Sequence, residues 1–293
     1  MKNLIIRTIS GIAFIIIMIG GILWGTLPYA IIIGVIIAMM MKEYINISIG
    51  KRYFIQKALA IATGLAFFVT TLLAELGYIG IRHVLLSLIP LTFAFISTLY
   101  VKEFNVHNFS EENGIRKRTG NGFEMFPFIM SSILYIAVPM SMCNLVIFNT
   151  EAGGLQYSGF TLLSMFIILW ATDVGAYCLG STLGQRFGKR LFPSISPKKS
   201  WVGFCGGLIC AILAAALLDY AGLLAIGLPK AVGLGIIICI FGVWGDLVES
   251  QFKRNFGVKD SGSIMPGHGG MLDRFDGALI AFPMAVIYLK LFV

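Results

Sequence analysis

The sequence has 293 residues, of which 58% are hydrophobic and only 12% are charged, with 22 basic and 14 acidic residues and a formal net charge of +8. About a quarter of the residues in a typical soluble domain are charged, so this composition excludes an ordinary soluble fold. A mean hydropathy of +0.89 is typical of a chain that lies in lipid, where long apolar helices satisfy their own backbone hydrogen bonds.

Nine apolar segments follow one another and predict nine membrane-spanning helices. The second is short, because its 14 residues at about 1.5 Å each reach only about 21 Å. We expect residues 44–49 to extend it, or Lys42 and Tyr44 to reach toward the membrane surface. The fold class is therefore predicted to be all-α, a polytopic integral membrane protein. The segments are 9–26, 28–41, 58–80, 84–100, 125–149, 159–180, 202–226, 231–248 and 275–293.

The basic residues give an independent signal, because cytoplasmic loops of membrane proteins are enriched in Lys and Arg. Counted on alternate sides of nine spans, 19 of the 22 basic residues fall on one side, and the other side holds Arg82, Lys230 and Lys290. We predict a cytoplasmic N-terminus in the cell (inner) membrane and no binding of nucleic acid. We also divide the chain into four spans and a loop, 1–124, and a C-terminal region that carries the motifs below, 125–293.

Asp173 lies well inside the sixth predicted span. A charge at that depth is costly and usually has a partner or an ion. Trp170 and Tyr177 share its helical face. We predict a functional carboxylate here, and a structural carboxylate that only accepts hydrogen bonds inside the bundle is the alternative.

The sixth loop ends in the run from Ser196 to Ser200, Ser-Pro-Lys-Lys-Ser, before the next apolar segment. Ser followed by Pro is typical of an N-cap with Pro at the first helical position, which would place Lys198 and Lys199 in the first turn. Cations there oppose the helix dipole, so the arrangement indicates a bound anion at the same place. Anchoring to anionic lipid headgroups is the alternative.

The eighth loop and its flanks concentrate charge, with five acids within 31 residues. Asp273 and Asp276 can point the same way from the first turn of a helix. With Asp246 they would form an oxygen site for Mg²⁺, and the glycines around His268 would let backbone approach a phosphate. The five acids are Asp246, Glu249, Asp260, Asp273 and Asp276.

A salt-bridged cytoplasmic hairpin is the alternative interpretation of this loop. The acids would then simply pair with Lys253, Arg254 and Arg274. Such pairs do not require the glycines that flank His268, so we favour a site for a metal ion and phosphate.

The run from Ser250 to Asp276 resembles the signature of the phosphatidate cytidylyltransferases, also called CDP-diacylglycerol synthases. It contains the Ser, Lys-Arg, Lys-Asp, Pro-Gly-His-Gly-Gly and Asp-Arg-x-Asp steps at the family's spacing. Met265 departs from the usual Leu, Ile or Phe, which is a conservative change. The stretch from Trp170 to Trp201 is similar to the family's upstream region, and Val202 departs from a position that is often polar.

The resemblance implies transfer of a cytidylyl group from CTP to phosphatidate, which gives CDP-diacylglycerol and pyrophosphate for phospholipid biosynthesis. It also implies a homodimer in the lipid bilayer and a requirement for Mg²⁺, and it leaves open whether K⁺ shares the metal site. The family's metal-binding acids correspond to Asp246 and Asp273 in this sequence. Asp276 and Asp173 are our second choices as metal ligands.

The other roles follow from the need to bring two phosphate-bearing substrates together. His268 would donate a hydrogen bond or a proton, and Lys259 would act beside it in catalysis. The remaining residues would bind substrate: Lys198, Lys199, Ser200, Ser250, Lys253, Arg254 and Arg274.

Two other functions remain as alternatives. A CTP-dependent lipid or polyprenol kinase would use the same nucleotide but would transfer its γ-phosphate. An anion transporter would also use buried acids and Gly-rich broken helices, although it has no need of five acids at one rim of the membrane.

Overall fold

The computed structural model describes residues 2–110, 114–151, 154–184, 189–264 and 269–293, without the side chains of 2–7, 104–119 and 150–151. Its architecture is helical. Eight helices are long and apolar enough to cross a membrane, and a further helix has a shorter described apolar part, Thr8–Leu23. The helices are α1 (Lys2–Leu23), α2 (Thr26–Ser48), α3 (Phe54–Glu75), α4 (Ile81–Thr98), α5 (Gly122–Val146), α6 (Phe160–Gly184), α7 (Trp201–Tyr220), α8 (Leu228–Asn255) and α9 (Leu272–Phe292).

These nine helices coincide with the nine predicted segments, and the prediction of an all-α, polytopic membrane protein is confirmed. The short second segment is part of the 23-residue helix α2, which continues to Ser48 and at about 1.5 Å per residue is about 34 Å long. The extension through 44–49 is therefore correct as far as Ser48. Tyr44 is buried and its Oη lies 2.8 Å from Ser131 Oγ on α5.

Several helices are locally irregular. α4 begins with a 3₁₀ segment, Ile81–Ser87, and α5 contains a π segment, Ile133–Ala137. α9 is interrupted by a turn at Asp276 and Gly277, between Leu272–Phe275 and Ala278–Phe292.

Three short antiparallel hairpins join helices, and none of them was predicted from the sequence. They connect α4 to α5, α5 to α6, and α6 to α7. The strands are β1 (Phe104–Ser110) with β2 (Gly114–Gly120), β3 (Phe148–Glu151) with β4 (Gly154–Tyr157), and β5 (Arg190–Phe192) with β6 (Ser196–Ser200).

The chain divides into two compact units. The first contains Met1–Asn144 and Phe252–Arg274, and the second contains Leu145–Gln251 and Phe275–Val293. The division at residues 124 and 125 was based on where the motifs lie and stays a prediction.

In the first unit α2 is a partly buried helix that contacts the motifs. Asn144 at the end of α5 ties it to its neighbours: Tyr29 Oη donates to Asn144 Oδ1 over 2.8 Å, and Asn144 Nδ2 donates to Phe68 O and Thr71 Oγ1 of α3. Such hydrogen bonds satisfy polar groups that lie away from water. The ring of Phe252 stacks on Tyr44 with centroids 4.3 Å apart, which holds the last turn of α8 against α2.

In the second unit α6 and α7 pack together, and Phe166 of α6 contacts Phe275 and Phe282 of α9 edge-on, with ring centroids 5.9 and 4.6 Å apart. The hairpin of β5 and β6 packs on α8 through Phe192 and Trp244, whose ring centroids are 5.8 Å apart. In the same unit Lys199 of β6 contacts Asp246 of α8.

Candidate active site

Asp273 has four polar contacts within the first unit. Its Oδ2 accepts the backbone N–H groups of Ser261 and Gly270 over 2.9 and 2.8 Å and lies 2.9 Å from Ser261 Oγ. Its Oδ1 lies 2.6 Å from Lys253 Nζ, and both side chains are nearly buried, with exposed fractions of 8% and 11%. Ser261 and Gly270, from both described parts of the signature loop, therefore converge on the Asp273 carboxylate. The ion pair with Lys253 is one of those expected for a salt-bridged hairpin.

Glu43 on α2 is the main residue of this cluster that the sequence analysis missed. It is 4% exposed, and its carboxylate accepts the N–H groups of Met271 and Leu272 over 3.0 and 2.8 Å. Ser261 Oγ lies 3.0 Å from Glu43 Oε2. Glu43 is the one acid in the sequence of α2, and a lone acid in an apolar span is a signal that could have identified it.

Asp246 lies on α8 in the second unit and contacts a lysine of β6. Its Oδ2 is 2.6 Å from Lys199 Nζ, and its Oδ1 accepts a hydrogen bond from Ser250 Oγ over 3.2 Å. The side chains of Lys199 and Asp246 are 24% and 39% exposed. This pair is open to solvent, whereas the pair of Lys253 and Asp273 is not.

Asp276 lies in the turn that interrupts α9, and its Oδ1 accepts the N–H of Gly277 over 2.6 Å. It interacts electrostatically with Asp246, Glu249 and Asp173, and Glu249 is fully buried. A Cβ on Gly245 of α8 would overlap the carbonyl oxygen of Asp276, so glycine permits this close approach. The second unit thus brings four carboxylates into one region.

Like charges that gather in one region disfavour one another, and hard oxygen donors of this kind suit Mg²⁺. The chemistry of the donor set therefore fits a divalent cation. Within the described ranges, the acids, cysteines and histidines do not already form a group of three or more arranged to hold a metal ion.

The predicted N-cap at Ser196 is wrong. Ser196–Ser200 is strand β6, and α7 begins at Trp201 with Ser200 as its N-cap, whose Oγ accepts the N–H of Gly203 over 3.1 Å. The hairpin extends this far because Trp201 N–H donates to the carbonyl of Lys189. Lys198 and Lys199 therefore precede the helix, and the inference of an anion in its first turn loses its basis.

The other predicted residues are placed as follows. Arg254, Lys259 and Arg274 are exposed, and Arg254 donates to the carbonyl of Val258 over 3.3 Å. Asp173 lies on α6 with Trp170 and Tyr177. His268 lies outside the described residues, so its role stays a prediction.

Comparison with known proteins identifies the family. The sequence model of the Cytidylyltransferase family matches residues 5–292. This chain belongs to the cytidylyltransferase family. A phosphatidate cytidylyltransferase of Staphylococcus aureus (strain COL) is 32% identical over 285 residues, which cover 97% of this chain and 98% of the relative. A phosphatidate cytidylyltransferase of Staphylococcus haemolyticus (strain JCSC1435) is 31% identical with the same coverage.

The family match extends the resemblance well beyond the motifs, because it includes the first 150 residues and thus α2 with Glu43. A phosphatidate cytidylyltransferase of Staphylococcus saprophyticus is 41% identical over 162 residues, 55% of this chain. In this cytidylyltransferase Asp273 belongs to the first unit and Asp246 to the second. Their shared binding of one metal ion stays a prediction.

Proposed function

We propose that this cytidylyltransferase transfers the cytidylyl group of CTP to phosphatidate, which forms CDP-diacylglycerol for phospholipid biosynthesis and releases pyrophosphate. The full-length relationship to phosphatidate cytidylyltransferases supports the proposal. The observation in the structure that carries it is the pairing of each predicted metal-binding acid with a lysine, Asp246 with Lys199 and Asp273 with Lys253, both at 2.6 Å. Sites that bind a cation and a polyphosphate need both charges side by side.

The chemistry needs charge compensation more than it needs a base. The phosphate of phosphatidate is a monoester whose second pKa is about 6, so an attacking oxygen is already an anion at neutral pH. That oxygen forms a bond to the α-phosphorus of CTP, and the bond from the α-phosphorus to the bridging oxygen breaks, so that pyrophosphate carries the electron pair away. The residues of the site must hold two polyanions together and stabilise the leaving group.

Basic side chains supply this stabilisation. Lys199 and Lys253 exchange their carboxylate partners for phosphate oxygens when substrate binds. Lys198, Arg254 and Lys259 are exposed and hold the remaining phosphate charge. Ser200, Ser250 and Arg274 complete the substrate-binding set, and His268 donates a hydrogen bond or proton to the leaving group.

Asp246 and Asp273 would hold Mg²⁺, with Asp276 and Asp173 as second choices. The gathering of carboxylates around Asp276 supports a divalent cation at this end of α8. When bound, Mg²⁺ neutralises negative charge that develops on the transferring and leaving phosphates.

The site faces the cytoplasm in this proposal. The excess of basic residues on one side supports a cytoplasmic N-terminus, so that soluble CTP meets a headgroup from the inner leaflet of the cell membrane. The family resemblance supports a homodimer.

The test compares CTP labelled at the α-phosphate with CTP labelled at the γ-phosphate, incubated with purified protein, phosphatidate and Mg²⁺. Cytidylyl transfer moves only the α-label into the lipid phase and leaves the γ-label in pyrophosphate. A lipid kinase would instead move the γ-label into lipid and release CDP. Anion flux into liposomes without CTP, together with no labelled lipid, would favour a transporter.

A further inference from the structure

We infer that Glu43 is a positioning residue for the reaction: it holds the loop that presents Asp273, although it lies on the second helix, far from the signature in sequence. This inference rests on the proposed function. Glu43 and Ser261 are separated by 218 positions. The carboxylate is buried, accepts the N–H groups of Met271 and Leu272, and lies within hydrogen-bond distance of Ser261 Oγ.

The contacts lead from Glu43 to Asp273 through Ser261. Ser261 Oγ lies 3.0 Å from Glu43 Oε2 and 2.9 Å from Asp273 Oδ2, and Asp273 N–H points back at the same Oγ over 3.3 Å. The hydroxyl carries one proton, so it can donate to only one carboxylate at a time. When it donates to Glu43, the hydroxyl oxygen is held in place as an acceptor for the Asp273 backbone.

The backbone contacts of Glu43 also position Asp273. Met271 and Leu272 precede Asp273 directly. Leu272 is the first residue of α9 and Met271 comes just before it, where amides have no partner within the helix. Glu43 satisfies both amides. It therefore fixes where α9 starts, and with it the position from which Asp273 extends.

Two glycines of the loop leave the space that the Glu43 carboxylate occupies. A Cβ on Gly270 would overlap Glu43 Oε2 and Ser261 Oγ, and a Cβ on Gly262 would lie 2.5 Å from Glu43 Oε1. From the sequence we expected glycine in this loop to allow the approach of a phosphate. At Gly262 and Gly270 the group that approaches is the Glu43 carboxylate.

Glutamine cannot replace Glu43 in this arrangement. Its side-chain amide has the same shape but only one acceptor oxygen, and its NH₂ group would face a backbone donor. Glu43→Gln should therefore loosen the segment 261–272 and misplace Asp273. Loss of a group that orients a metal ligand typically lowers metal affinity or activity by about 10–100-fold.

The experiment measures three quantities for wild type and Glu43→Gln in detergent: cytidylyl transfer, the Mg²⁺ concentration for half-maximal rate, and hydrogen–deuterium exchange of a peptide containing Met271 and Leu272. We expect turnover to fall about 10–100-fold, the required Mg²⁺ to rise, the KM for phosphatidate to stay constant, and the peptide to exchange faster. A loss of fold alone would reduce the active fraction without changing the Mg²⁺ requirement.

Three further variants keep the test decisive if Glu43→Gln is poorly folded. Ser261→Ala removes the bridging hydroxyl but keeps Glu43, and should shift the Mg²⁺ requirement in the same direction by a smaller factor. Ser48→Ala, on the same helix, removes only a hydrogen bond to Tyr44 O, and Glu75→Gln neutralises an acid at the end of α3. Both controls should behave as wild type.

The inference would be overturned if Glu43→Gln had the turnover and the Mg²⁺ requirement of the wild type. It would also be overturned if the turnover of Glu43→Gln fell while hydrogen–deuterium exchange of the peptide stayed unchanged. If Glu43→Gln is unfolded, an unchanged Mg²⁺ requirement in Ser261→Ala overturns it. A wild-type protein that makes no labelled lipid would overturn the proposed function instead. The exchange measurement needs no substrate, so the two failures can be told apart.

Discussion

Lys253 Nζ lies 2.6 Å from Asp273 Oδ1, and both side chains are almost out of contact with solvent. Removing only one member of such a pair leaves the other charge buried without compensation, which typically costs about 3–5 kcal/mol. We expect Lys253→Met to lower the melting temperature in detergent clearly. In the double variant Lys253→Met with Asp273→Asn, stability should recover in part. A melting temperature of Lys253→Met equal to that of the wild type would contradict the buried pair.

The pair of Lys199 and Asp246 should respond differently. It is partly exposed, and exposed ion pairs contribute about 0–1 kcal/mol. We expect Lys199→Met to leave the melting temperature nearly unchanged but to raise the KM for CTP about tenfold, as for the loss of one hydrogen bond to a charged group. A strong loss of stability without a change in KM would argue for a purely structural lysine.

The metal-binding role of Asp246 and Asp273 can be tested directly. Asparagine keeps the shape of aspartate but lacks its charge, so Asp246→Asn and Asp273→Asn should abolish Mg²⁺-dependent turnover. Both should keep the gel-filtration profile of folded protein, although Asp273→Asn should melt at a lower temperature because it leaves Lys253 buried without its partner. Removing Mg²⁺ from the wild type with a chelator should have the same effect. Near-normal activity in either variant would exclude that residue as an essential ligand, and Glu75→Gln serves as the charge-matched control.

The start of α7 gives a prediction about stability. Ser200 Oγ accepts the N–H of Gly203, and loss of an N-cap serine costs about 1 kcal/mol. Ser200→Ala should therefore lower the melting temperature, whereas Ser196→Ala in strand β6 should change stability by less than about 0.5 kcal/mol. Comparable losses in both would contradict the observed helix start.

The membrane helices could be predicted from the sequence because the lengths of apolar runs determine them. The extension of α2 to Ser48 was foreseen because a span must be long enough for the hydrocarbon core. The hairpins were missed, since strands of three to seven residues between helices lack a long apolar pattern. Each of these strands is stabilised by pairing with the next strand of its hairpin, which an apolar pattern within one strand does not reveal.

The error at Ser196 has a similar cause. Ser196 and Ser200 both precede an apolar run at a distance suited to capping. Pro197 favours Ser196, because proline is common at the first helical position after an N-cap. Which serine caps α7 is decided by how far β5 and β6 remain paired, and that pairing is not encoded by spacing alone. Of the acids of the signature, Asp246 and Glu249 interact with Asp276 in the second unit, whereas Asp273 belongs to the first unit, and spacing in the sequence does not reveal that division.

Glu43 could not be placed at the signature by spacing, because its partners come more than 200 residues later. This separation also orders events during synthesis. At about 5–20 residues per second, the ribosome needs roughly 10–40 s to reach Ser261 after Glu43 has been made. During that interval α2 carries a carboxylate whose hydrogen-bond donors do not yet exist, and water or lipid headgroups must solvate it. The second helix therefore reaches its final environment only when the last loop of the protein arrives.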